Sequence, residues 1–162
     1  MLRPFLLAIL LATPLAAEDD HNHDHDHADH LSEAEGLRLI HGWTTATDRG
    51  PAPVYLEIEN TRDSAVILTG AESEAAEAIE ITGIPLTAGA DPMTLPELEI
   101  AAGTTFDLTP ESVYLVLNDL AAPLEEDGEI DVTLIFGEEE IELHVDVLEQ
   151  GATQHPHAGH AH

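Results

Sequence analysis

The sequence predicts an all-β protein, an antiparallel β-sandwich with disordered His-rich segments at its N- and C-terminal ends. Three observations predict it. Apolar and polar residues alternate with period two in several runs, prolines and glycines recur between those runs, and no helical-period pattern is long enough to compete.

Taken in chain order, residues 1–17 read as a secretory signal peptide. Arg3 supplies the positive start, residues 5–12 the short apolar run, and Leu15-Ala16-Ala17 the small-residue cleavage zone. The mature protein is therefore expected in the periplasm or outside the cell. No later segment approaches the length of a membrane helix, and the chain has no cysteine to carry a lipid anchor, so no membrane anchor is expected. The same absence of cysteine excludes disulfide staples and thiolate metal sites.

Residues 18–35 form a His- and Asp-rich arm read as disordered, residues 36–149 have ordinary globular composition, and residues 150–162 form a second His-rich tail read as disordered. Within the middle part, Val54, Leu56 and Ile58 alternate with Tyr55, Glu57 and Glu59. Ile130, Val132, Leu134 and Phe136 alternate with Asp131, Thr133 and Ile135, and Ile141, Leu143, Val145 and Val147 alternate with Glu142, His144 and Asp146. Each run is a strand with an apolar inner face and a mostly polar outer one. Residues 37–43, 65–73, 78–82, 98–100, 104–108 and 112–118 are further candidates, giving about nine strands, and residues 74–78 are expected to form one helical turn at most. Gly137-Glu138 between two strong runs predicts a tight hairpin joining the last two strands.

The formal charge is −29, from 33 acidic residues against four arginines and no lysine. Such a field repels phosphate backbones and excludes nucleic acid as a partner, while it attracts cations. The histidines point the same way. His21, His23, His25, His27 and His30 lie in the arm and His155, His157, His160 and His162 in the tail, nine of the eleven in the chain. Neutral imidazoles on an extended chain project alternately and several can close on one ion, with Asp24, Asp26 and Asp29 as added oxygen donors. The affinity order at nitrogen sites places Cu(II) ahead of Zn(II), so copper is the expected metal and zinc the alternative. Proton competition weakens such a site below about pH 6.

The middle of the chain also resembles a known family. The matching stretches are residues 40–47 (IHGWTTAT), 53–60 (PVYLEIEN), 68–81 (LTGAESEAAEAIEI), 98–103 (LEIAAG), 113–120 (VYLVLNDL) and 123–128 (PLEEDG), in order and together spanning nearly the whole globular part. They resemble the periplasmic copper chaperones of the PCuAC type. The resemblance implies a cupredoxin-like β-sandwich, Cu(I) carriage, and a copper-accepting periplasmic or membrane partner such as a cytochrome oxidase assembly factor. It also implies a site of two histidines and two methionines. This chain departs from that site: Thr82 and Ile84 stand where the family has its first His and nearby Met, and Tyr114 and Val116 stand at its His-x-Met. Met93 falls where the second methionine would lie, in the loop of residues 85–96, so one of the four ligands survives; it is expected to be a loop side chain packed on the sandwich, since one thioether does not hold copper usefully.

The other two histidines read as non-ligands, His144 as a solvated surface residue and His41 as a packing or hydrogen-bonding one, and Trp43 reads as core. There is no nucleophile–base pair and no phosphate-cradling glycine loop, so no enzymatic activity is expected. The expected function is therefore a copper-chaperone-like protein that captures, buffers or delivers copper through its His-rich ends. A periplasmic zinc scavenger or buffer, and a non-metal β-sandwich adaptor, are the alternatives.

Overall fold

The hairpin at Gly137 is the centre from which the sheet can be read. In the computed structural model, which describes residues 31–87 and 89–156, β11 (Glu129–Phe136) and β12 (Glu139–Leu148) pair antiparallel from Phe136↔Glu139 to Glu129↔Asp146. The two loop residues are Gly137 and Glu138, with Gly137 at φ 69°, the backbone region that tight hairpins require and glycine enters freely. Val132, Leu134, Leu143 and Val145 are buried, and their alternate neighbours face outward, as period two demands.

The remaining strands are β1 (Leu31–Ala34), β2 (Leu37–Thr45), β3 (Ala52–Asn60), β4 (Val66–Leu68), β5 (Gly70–Glu72), β6 (Ala76–Gly83), β7 (Met93–Leu95), β8 (Leu98–Ile100), β9 (Thr104–Leu108) and β10 (Val113–Leu120). One sheet runs β5-β11-β12-β2-β3-β10-β6-β7, with β1 added on β2 and β9 on β3, and β4 and β8 form a separate pair. All pairings are antiparallel except β12 on β2, which is parallel from Asp146↔Trp43 to Leu148↔Thr45. No helix occurs among the described residues.

The sheet curls because β2 and β3 each change partners along their length. Leu37–Ile40 pair β2 with β1, whereas Trp43–Thr45 pair it with β12. Ala52–Val54 of β3 pair with β10, whereas Leu56–Asn60 pair with β9. The resulting sandwich encloses a core that includes Leu39, Ile58, Leu115, Leu117, Leu134 and Leu143. Burying each such side chain contributes roughly 1.5–3 kcal/mol.

Three local expectations are corrected. The run at 65–73 is two strands, because the Thr69 amide and hydroxyl both donate to the Ile135 carbonyl where the chain passes from β8's partner to β11's partner. Residues 74 and 75 make a non-helical turn, and residues 76–78 already belong to β6. Met93 does not pack on the sandwich from a loop; it begins an edge strand and is 54% exposed.

The folded part also extends beyond the 36–149 boundaries. Leu31–Ala34 pairs with β2 through a two-residue turn, Glu35 (φ 43°) and Gly36 (φ 86°), whose two positive φ values match a hairpin's twist. At the other end, the chain continues past Leu148 and reaches back onto the sheet at His155.

Candidate metal centre

The positions that hold the ligands in the resembled family do converge. Thr82 of β6 faces Tyr114 of β10, Glu80 faces Val116, and Gly83 faces Met93 of β7. Residues 114 and 116 share one face of their strand. What converges, however, is a hydroxyl, a phenol and a branched alkyl group beside one exposed thioether. The phenol leads away from the site: Tyr114 packs on Tyr55 with ring centres 5.8 Å apart, and Tyr55 packs on Trp43 at 4.5 Å. Burial, reinforced by Tyr114 and Glu111, pushes the Tyr55 hydroxyl above its usual 10, so it stays neutral at physiological pH. Trp43 is buried as expected, yet it lies with Tyr55 outside the main apolar cluster.

That aromatic row ends at a different group of polar side chains. After β12, the Ala152 amide donates to the Glu149 carbonyl and Gly151 takes φ 98°, turning the chain back over the outer face of the sheet. His155 arrives there 2% exposed. Its Nε2–H donates to Asp146 Oδ2 at 2.8 Å, and its ring faces His41 with centres 5.0 Å apart and planes 26° apart. Asp146 is available because period two turns it outward on β12 while Val145 and Val147 turn inward.

His41 occupies a distortion of β2. The β2–β3 register is regular to Ile40↔Glu57 and resumes at Trp43↔Tyr55, with a bulge between. His41 has φ 52°, a left-handed conformation that non-glycine residues seldom adopt. Bulges re-aim side chains, and this one turns His41 toward a cleft of about 670 Å³ that Trp43 and His155 also line. Glu57, Glu59, Asp107 and Glu111 contribute carboxylates to its wall against one guanidinium, Arg38, which is paired with Glu59. The cleft can attract a cation and offers it imidazole nitrogen and carboxylate oxygen.

A second group lies on the open outer face of β11 and β12. The potential ligand atoms of Asp131, Glu142 and His144 lie within 4.8 Å of one another, and His144 Nδ1–H donates to Asp131 Oδ1 at 2.6 Å. That hydrogen bond holds the His144 imidazole above its usual 6.5. His144 is on the surface, as its strand position implied, but it has a carboxylate partner.

Of the nine tail histidines, only His155 lies among the described residues; His21, His23, His25, His27, His30, His157, His160 and His162 lie outside them. His41 and Asp146 were missed as companions of His155. The His41-Gly42 pair in an otherwise apolar strand was the available signal, since glycine inside a strand marks a bulge or a close approach.

Comparison with known proteins places this architecture. The model of the LpqE-like family ("Putative lipoprotein LpqE-like") matches residues 37–147. "Putative lipoprotein Lxx21020" of Leifsonia xyli subsp. xyli (strain CTCB07) is 31% identical over 108 residues, 65% of this chain, and the chain spans 65% of that relative's length. Among solved structures, the apo PCuAC domain of PmoF2 superposes with a TM-score of 0.67 at 16% identity, covering 77% of this chain and 99% of that one. The copper-bound PCuAC domain of PmoF2 gives 0.62 at 18% identity, covering 75% and 99%. These likenesses establish a shared sandwich fold. By the match over nearly all of its folded part, the chain belongs to the LpqE-like family.

Proposed function

We propose that this protein is an exported, non-enzymatic copper carrier of the copper-chaperone kind, which captures Cu(II) through imidazoles of its His-rich ends and buffers it or passes it on. The observation that carries this reading is the exchange of ligands. A domain of the same fold carries copper, whereas here Thr82, Tyr114 and Val116 fill the converging ligand positions and nine of eleven histidines stand in two terminal segments. Imidazole nitrogens with neighbouring carboxylates are donors suited to a borderline divalent ion, which fits capture and delivery. A signal peptide at residues 1–17 and relatives named as lipoproteins support export. The recipient on this reading is a copper-accepting periplasmic or membrane protein.

Calorimetric titration of the mature protein with Cu(II), Cu(I) and Zn(II) tests the proposal, beside a variant in which all nine tail histidines are glutamine. The expected result is tight Cu(II) uptake that the nine-fold variant loses. Unaltered uptake by that variant would overturn the reading, and preference for Zn(II) at matched free-metal levels would replace copper with zinc as the cargo.

A further inference from the structure

We propose that the cleft at the β2 bulge is a discrete metal-ion site, with His41 and His155 as nitrogen donors and Asp146 as the residue that orients His155. It deepens the copper-binding reading and rests on it for the naming of Cu(II) as first choice of ion. The site differs in place from the ligand positions at Thr82, Met93 and Tyr114, which lie on β6, β7 and β10.

The first argument is the condition of His155. A ring that is 2% exposed has left water, and burial of a polar group is tolerated only when its hydrogen-bonding atoms are satisfied. Asp146 accepts from Nε2–H at 2.8 Å. In the neutral ring that contact places the proton on Nε2, and Nδ1 is the nitrogen through which the ring would take up an ion. A carboxylate behind an imidazole is the usual arrangement for a metal-binding histidine, where it fixes tautomer and orientation.

The second argument is His41. Its φ of 52° is a conformation that persists only when surrounding packing imposes it, and here the imposing contact is identifiable. Gly42 follows, and a Cβ there would stand 2.7 Å from Leu143 Cδ2 and 3.0 Å from the His144 carbonyl oxygen. The bulge is therefore pressed against β12, the strand that also carries Asp146. One backbone distortion places the first ring, and one strand holds both the bulge and the partner of the second ring.

The third argument is spacing. An ion lies about 2.0–2.1 Å from an imidazole nitrogen and hence about 3.2 Å from the ring centre, so two rings on one ion have centres roughly 4.5 Å apart at a square-planar angle and roughly 5.2 Å at a tetrahedral one. The observed 5.0 Å falls between these values. The planes, 26° apart, now face one another, so capture requires His41 to turn about its terminal torsion, which has broad wells, while Asp146 holds His155. Glu57, which opposes Ile40 at the edge of the bulge, lines the cleft and supplies an oxygen donor. Nitrogen and oxygen donors without sulfur select a borderline divalent ion, Cu(II) ahead of Zn(II).

The chain's single tryptophan, Trp43, lines the same cleft and reports on it. With the mature full chain, the first equivalent of Cu(II) is expected to quench Trp43 fluorescence. His41→Gln and His155→Gln should each weaken that quenching phase at least about tenfold, and Asp146→Asn by roughly 10–100-fold, the range for lost outer-shell partners. Uptake by the remaining tail histidines should persist in all three. Circular dichroism without metal identifies a variant that fails to fold. In that case, NMR of the wild-type imidazoles under substoichiometric Cu(II) decides: His41 and His155 should broaden first. Equal quenching in wild type and the folded His41→Gln/His155→Gln protein, or sharp His41 and His155 signals while other histidines broaden, would overturn the site but leave the copper-carrier reading standing. Absence of Cu(II) uptake by the wild-type chain would overturn both.

Discussion

Thr82 and Tyr114 face each other across the β6–β10 ladder, and Met93 lies one residue further along on β7, opposite Gly83. The backbone thus still gathers the positions at which the PCuAC resemblance implies a copper site, while Met93 alone among them keeps a soft donor. A scaffold that keeps its register should accept the donors back. Thr82→His, Tyr114→His and Val116→Met, combined with native Met93, are expected to create Cu(I) binding that the native positions lack. Each restored donor should tighten binding by at least about tenfold, or ~1.4 kcal/mol. Titration against a Cu(I) chelator under reducing conditions, in a tail-deleted background, measures it.

Gly42 is expected to be intolerant of even one methyl group. Its Cβ would meet Leu143 Cδ2 at 2.7 Å and the His144 carbonyl at 3.0 Å, so either the Leu143 rotamer or the bulge must move. Gly42→Ala should cost about 1–3 kcal/mol, as overpacking of a well-filled interior does. Chemical denaturation of the metal-free protein gives the value, and the NMR signals of His41 and His155 should shift in the same variant.

Asn60, fully buried at the end of β3, ties the main sheet to the small β4–β8 pair. Its Nδ2 lies within hydrogen-bond reach of the carbonyls of Ser64, Ile100 and Ala101, and its Oδ1 accepts from the Arg62 amide. Asn60→Ala strands buried carbonyls as well as removing the contacts, so a loss of about 2–4 kcal/mol is expected. Asn60→Asp should be at least as harmful, because it replaces the donor with an acceptor facing carbonyl oxygens. Thermal unfolding of the two variants beside wild type checks both statements.

The exposed pair His144 and Asp131 makes a prediction about pH. The 2.6 Å hydrogen bond raises the folded-state pKa of His144 above 6.5, so the folded protein holds this proton more tightly than the unfolded chain. The associated stability is fully present below 6.5 and fades as pH rises through the folded value. It is small, because both side chains are more than half exposed. Asp131→Asn should return the imidazole toward its ordinary value, read by NMR titration of the ring protons.

Much of the architecture was legible because strand patterning is local. The alternations at 54–59, 130–136 and 141–147 became β3, β11 and β12, and Gly137-Glu138 became their hairpin where expected. The split at Thr69 was hidden because 65–73 reads as one continuous run. Only the Ile135 carbonyl, distant in sequence, shows where the chain changes sheets. The β1 hairpin was hidden by composition, since Leu31-Ser32-Glu33-Ala34 carries little apolar pattern and is defined by its pairing with β2.

By itself the sequence determined the chemistry in stock: no thiol, one thioether at the vacated positions, a strongly negative field and imidazoles crowded toward the ends. Such facts are properties of side chains and need no partner. Tertiary structure alone decided which of them meet. His41, Asp146 and His155 come together because β12 lies parallel to β2, because a bulge re-aims one ring, and because the chain reverses after Leu148. No period in the sequence encodes such a meeting, since each of the three contributes one residue and the geometry arises only when the two strands pack side by side.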